Sequence, residues 1–195
     1  MRGRGPGQTA ERELSVFARI ALFDLSADGG RVLLSESGSA AGPVPRTYLR
    51  STDGSDPVRL GQGEPLSLSP DGRRFAQSIG SIFQGPDSWQ GSRLRLVPTG
   101  PDEPREVPGL EPAFHAVRFA DDGRSVFVVA HQGTPTRLYR VDLATGRRAL
   151  AYELMPPDPI GVTTFTGAFV TPDGRAYAYD YRQVIGNLYL VEGLR

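Results

Sequence analysis

Apolar and polar positions alternate along most of this chain in short runs, and turn residues close nearly every run. Arg93-Leu94-Arg95-Leu96-Val97 and Arg137-Leu138-Tyr139-Arg140-Val141 show the pattern plainly. A period of two is the mark of a strand with one buried face. No long stretch holds a helical period, and glycine or proline interrupts most candidates. The chain therefore reads as all-β.

The runs are organised by a repeat. Ser26-Ala27-Asp28-Gly29, Ser69-Pro70-Asp71-Gly72, Ala120-Asp121-Asp122-Gly123 and Thr171-Pro172-Asp173-Gly174 are variants of one turn, their last aspartates 43, 51 and 51 residues apart. That spacing falls in the range of propeller blades. A short apolar strand enters each turn, as in His115-Ala116-Val117-Arg118-Phe119, and an arginine-led strand leaves it, as in Arg124-Ser125-Val126-Phe127. Asp-Gly between two strand-like runs predicts a hairpin, because glycine supplies the positive φ that a tight turn needs. A third strand follows in every unit, and a second turn and a fourth strand close the first three. The prediction is a β-propeller of four four-stranded antiparallel blades, either a small closed ring or a partial propeller. Blade boundaries fall at about 17–61, 62–108, 111–155 and 162–195, the last blade one strand short.

Residues 1–10 read as a disordered tail. Residues 11–17 form a spare strand with two possible places. It can pair as the missing outer strand of blade four and close the ring, or it is the outer strand of a blade lost upstream. An incomplete propeller would leave a face open to self-association.

Composition narrows the function classes. Arginine supplies all 22 cations against 22 acids, for a net charge of zero. A neutral chain lacks the excess positive charge that drives nonspecific nucleic-acid binding, so no nucleic-acid partner is expected. With no cysteine there is no disulfide, thiol nucleophile or cysteine-held metal. No apolar run follows Arg2 and Arg4, and Arg19 and Asp24 break the apolar stretch from Val16 to Leu25. Neither a secretory signal nor a membrane span is read. The location expected by default is cytoplasmic, or extracytoplasmic for a part of a membrane-anchored protein.

The intact Ser69-Pro70-Asp71-Gly72 turn, its three variants and the Leu138-Tyr139 and Leu188-Tyr189 third strands resemble the TolB-like, WD40-like β-propeller family. The likeness runs over about residues 14–195. It implies a propeller, and for function it implies little beyond binding. The ending from Tyr181 to Leu194 is similar to the last blade of propellers appended to bacterial serine/threonine kinases, which implies a sensory or interaction role in signalling. Neither a kinase phosphate loop nor a His-Arg-Asp catalytic loop occurs, and no Gly-x-Ser-x-Gly elbow. No enzymatic activity and no cofactor are expected.

Asp28-Gly29, Asp71-Gly72, Asp122-Gly123 and Asp173-Gly174 are read as structural turns, each aspartate bonding its own backbone and not holding calcium. His115 and His131 have no acidic partner at a motif spacing and are read as surface or packing residues. Connections between second and third strands vary most, and loops on a rigid scaffold commonly carry binding. The interaction candidates in or beside those connections are Arg46, Phe83, Trp89, His131, Tyr181 and Arg182, for a protein or peptide partner. Accessory service to a peptidase, or recognition of a small molecule or glycan, are the alternatives.

Overall fold

The structure is a computed structural model that describes residues 1–15, 17–38, 41–42, 44–79, 93–110, 114–130 and 134–186. Blade one comprises β3 (Ile20–Leu25), β4 (Arg31–Glu36), β5 (Arg46–Ser51) and β6 (Val58–Gln62). Blade two is β7 (Glu64–Leu68), β8 (Arg74–Ile79), β9 (Arg93–Pro98) and β10 (Arg105–Glu106). Blade three is β11 (Phe114–Phe119), β12 (Ser125–Ala130), β13 (Thr136–Asp142) and β14 (Arg148–Leu154). Each is an antiparallel meander in sequence order. Blade four is described over two strands, β15 (Val162–Val170) and β16 (Tyr177–Gln183). The third strand expected around 187–191 lies outside the described residues. The fold is an all-β propeller, and among the described residues no helix is long and apolar enough to cross a membrane.

The four Asp-Gly turns connect the first and second strands of the four blades, and their glycines have φ of 68°, 64°, 61° and 71°. Each aspartate accepts from the backbone N–H two residues on: Gly30 for Asp28, Arg73 for Asp71, Arg124 for Asp122 and Arg175 for Asp173. In three turns the leading hydroxyl, Ser26, Ser69 or Thr171, also donates to the carboxylate. The turn with Ala120 at that position recruits Ser125 in its place. The Ser26 hydroxyl and the Gly30 N–H hold Asp28 below its ordinary value, and the Thr171 hydroxyl and the Arg175 N–H do the same for Asp173.

Blades pack face to face. Leu33 and Leu49 of blade one meet Phe75 and Val97 of blade two. Ala76, Leu94 and Leu96, on the other face of blade two, meet Val126 and Val128 of blade three. Phe127, Val129 and Leu138 then face Val170 and Ala168 of blade four. Alternate residues of one strand thus serve two seams, as period-two geometry requires.

The N-terminal segment departs from the expectation. Residues 1–10 are not a loose tail: Arg2–Gly3 (β1) pairs antiparallel with Arg12–Glu13 (β2). Of the segment 11–17, for which the sequence left two places open, Arg12–Glu13 pairs in that short hairpin. The hairpin sits on the flank of blade one that faces away from blade two. There Met1 and Phe17 pack on Val32, Leu34 and Tyr48, with the Phe17 and Tyr48 rings 4.6 Å apart. Arg50 fixes it by donating 2.7 Å to the carbonyl of Leu14, and Gln8 donates to that of Thr52. An apolar flank needs a cover, and the nearest chain in sequence supplies it.

Two outcomes follow. Glu64 opens β7 with a buried carboxyl whose Oε2 has no hydrogen-bond partner among the described residues, and burial pushes its pKa from 4.5 to about 7. Because the folded value is the higher, ionisation opposes folding as pH rises from 4.5 through about 7, and the penalty is flat above that. Glu64→Gln is expected to raise the melting temperature at pH 8, by roughly 2–4 °C per kcal/mol recovered, and to leave it unchanged at pH 4. Gly146, with φ of 70°, is placed so that a Cβ would run into the carbonyl oxygen of Pro108, whereas Gly7 at 73° has open space around it. Gly7→Ala is expected to cost about 1–2 kcal/mol from the left-handed backbone alone. Gly146→Ala should cost clearly more in urea denaturation, since it adds a backbone clash at the junction of blades two and three.

Candidate functional site

The inner strands β3, β7, β11 and β15 converge on a cavity of about 310 Å³ at the centre of the blades. Three of them carry a bulge at one equivalent place. The ladder skips Phe23 between Leu22 and Asp24, Leu66 between Pro65 and Ser67, and Val117 between Ala116 and Arg118. A bulge re-aims side chains that regular alternation would send into the seams. In each case the skipped residue and the one after it both line the cavity. Four residues before the turn aspartate, the blades contribute Asp24, Ser67, Arg118 and Phe169 to its wall. One residue earlier stand Phe23, Leu66, Val117 and Ala168. Blade four reaches the same positions with its irregularities displaced, between Val162 and Thr164 and between Phe165 and Gly167.

The polar groups in the wall are linked across blades. Asp24 Oδ2 accepts from the Ser67 hydroxyl at 3.0 Å and from the Leu68 N–H at 2.8 Å, while Oδ1 accepts from the Leu25 N–H at 2.9 Å. The Ser67 oxygen in turn accepts from the Phe119 N–H at 3.2 Å. One carboxylate and one hydroxyl thereby tie the inner strands of blades one, two and three. Arg118 Nη2 stands 3.9 Å from Asp24 Oδ1, an ion pair beyond hydrogen-bond length. Asp24 is nearly enclosed, with 11% of its side chain exposed, against 41% for Arg118. Leu22 and Phe169 are exposed apolar residues at the cavity, 59% and 75% accessible. The result is a greasy wall with one buried acid, one accessible cation and a buried hydroxyl, the composition of a recognition pocket.

Of the residues proposed from sequence, Arg46, Tyr181 and Arg182 are described, and these three do not line the cavity. Arg46 opens β5 and lies 3.9 Å from the buried Glu36, which also accepts from the Tyr48 hydroxyl at 3.1 Å. It secures the flank of blade one. Tyr181 lies in β16, in a row of rings with Tyr179 at 6.1 Å and Phe165 at 6.3 Å. Arg182 follows it in that strand, its carbonyl accepting from the Thr163 hydroxyl. Phe83, Trp89 and His131 lie outside the described residues. His115 is placed by β11 in the cavity wall. Among the described residues no three His, Asp or Glu side chains come together as a metal site. Asp24, Ser67 and Arg118 escape a reading by motif because each occurs once. They emerge when the four repeats are superposed on their turn aspartates.

No family profile and no curated protein matches the chain. Solved structures do, at the level of fold. TolB from Acinetobacter baumannii is similar with a TM-score of 0.60 and 15% identity, over 86% of this chain and 39% of that one. A TolB homologue from Agrobacterium tumefaciens gives 0.57 and 21%, over 83% and 53%. A prolyl endopeptidase gives 0.53 and 12%, over 89% of this chain and 35% of the endopeptidase. The chain therefore spans from about a third to about half of the length of these propeller proteins.

Asp24 carries most of the inter-blade polar contacts at the axis, so Asp24→Ala leaves the Leu68 N–H without its acceptor and the Ser67 hydroxyl with only the Leu68 carbonyl at 3.3 Å. A buried donor left without its partner costs about 1–3 kcal/mol. The urea midpoint of Asp24→Ala should fall accordingly with the m-value unchanged; an unaltered midpoint would show that the axial network contributes nothing to stability.

Proposed function

We propose that this chain is a non-enzymatic β-propeller module that binds a protein or peptide segment at its axial cavity. The supporting observation is the convergence of four non-identical residues, Asp24, Ser67, Arg118 and Phe169, from equivalent positions of the four repeats onto one apolar-walled pocket. A volume of about 310 Å³ is at the small end of the range for ligand pockets. It suits one or two side chains of a partner and not a large cofactor. Exposed Leu22 and Phe169 are the sort of apolar anchors that a partner would cover. The narrower role, as the sensory part of a kinase-type signalling protein, is supported only by the similarity of the ending from Tyr181 to Leu194 to kinase-appended propellers. A second reading, an accessory propeller beside a peptidase, draws on the likeness to the prolyl endopeptidase over 89% of the chain.

Leu22→Ala and Phe169→Ala test the binding role, because both side chains are exposed and their loss should change stability by no more than about 0.5 kcal/mol. Against peptides selected from a display library on the full chain, each substitution is expected to weaken binding about tenfold or more, as loss of a central anchor does. Binding at wild-type strength by both variants, measured by fluorescence anisotropy, would exclude the axial cavity as the site.

A further inference from the structure

Several arginines are spent on the fold, whereas Arg118 stands in a cavity wall. Arg50 donates to the carbonyls of Leu14 and Gly54. Arg74 donates to Gly123 O, Arg105 to Leu143 O, Arg137 to Glu153 and Arg140 to Asp122. These guanidiniums hold the fold. Arg118 makes no hydrogen bond among the described residues, and its nearest acid is Asp24 at 3.9 Å, whose oxygens are already taken by Leu25, Ser67 and Leu68. Its five donors therefore remain available in a wall made chiefly of Leu22, Phe23, Leu66, Val117 and Phe169.

Arg118 also stands where two cavities meet. One is the axial cavity. The other is a shallower cleft of about 500 Å³ that runs over Phe169, Val170, Pro172, Tyr177 and Ala178 of blade four. Arg118 and Phe169 line both. We propose that Arg118 receives the C-terminal carboxylate of a bound peptide, with the last side chain in the axial cavity and the preceding residues in the blade-four cleft. This deepens the peptide-binding reading and rests on it.

The geometry fits a chain end for a chemical reason. A terminal residue carries its carboxylate, its side chain and the incoming chain on one Cα, so the three diverge from a single point. Arg118 offers such a point, with a small apolar space on one side and a longer one on the other. The planar guanidinium matches a carboxylate with two parallel N–H···O contacts. The negative charge of Asp24 is shared among three donors, and it draws Arg118 toward the axis without occupying its hydrogen-bonding edge.

The test uses the full chain and one labelled peptide selected from a library displayed with free C-termini. That peptide is made as the free acid, as the C-terminal amide and with two glycines appended. Wild type is expected to bind the acid about 10–100-fold more tightly than the amide or the extended form, the worth of a charge-assisted hydrogen-bonded pair. Arg118→Gln, at a side chain 41% exposed, should melt as wild type does and bind acid and amide alike. Three results would overturn the assignment while leaving peptide binding intact: equal binding of acid and amide by wild type, an acid preference that survives Arg118→Gln, or tight binding of the extended peptide through an internal Asp or Glu. If neither a free-terminus nor an internal-display library yields any binder, peptide binding itself falls, and this assignment falls with it.

Discussion

No blade of this chain can be stable alone, because each complete sheet has apolar side chains on both faces. Blade three shows the constraint most directly. Val126, Val128 and Ala130 face blade two, while the intervening Phe127 and Val129 face blade four. Its central strand is buried at every position. Burying such a strand requires a neighbour on each side, and stacking blades about an axis is one of the few arrangements that supplies both. The inner strands then meet at the centre, where Asp24 and Ser67 link three of them. The axial cavity is a consequence of that stacking.

An array of two-faced sheets has to solve its ends. At blade one the solution is local: the N-terminal hairpin lays Met1 and Phe17 over Val32, Leu34 and Tyr48, where another blade would otherwise sit. The hairpin strands are two residues each, so backbone pairing contributes little, and burial with the Arg50 and Gln8 hydrogen bonds holds them in place. At the axis the seams are polar. Asp24 and Ser67 satisfy the backbone N–H groups of Leu68 and Phe119 on inner strands that are the edges of their sheets. A sheet edge presents unpaired backbone groups, and a side-chain acceptor from the next blade satisfies them where they are buried.

Much of this was legible in the sequence. Period-two alternation located the strands, and Asp-Gly located the first turn of each blade, because both signals are local. The destination of residues 11–17 was not legible. Their alternation says that they can pair but not with which edge, and a flank one strand away competes better than an edge at the far end of the chain. The cavity residues were hidden for another reason. Asp24 and Arg118 lie inside runs that read as entering strands, where a lone charge looks like an ordinary outward-facing position. The bulge that turns them toward the axis leaves no mark at the level of periodicity. His115 was discounted for want of a partner nearby in sequence, whereas its surroundings are assembled from other blades.

Repeats in a single chain also separate structural from functional positions without any other sequence. The turn aspartate and glycine are the same in all four units because each does the same work for its own hairpin. Four residues earlier the units differ completely: acid, hydroxyl, guanidinium and phenyl ring. If that position served only packing, equivalent places would favour similar side chains, as they do at Val32, Phe75 and Val126, each a buried apolar residue four positions after its turn aspartate. Instead it faces a space that all the blades share, and there a set of unlike groups can do what four copies of one group cannot. Divergence among repeats at an inward-facing position thus sets the axis apart from the seams, as a place where the four units are not interchangeable.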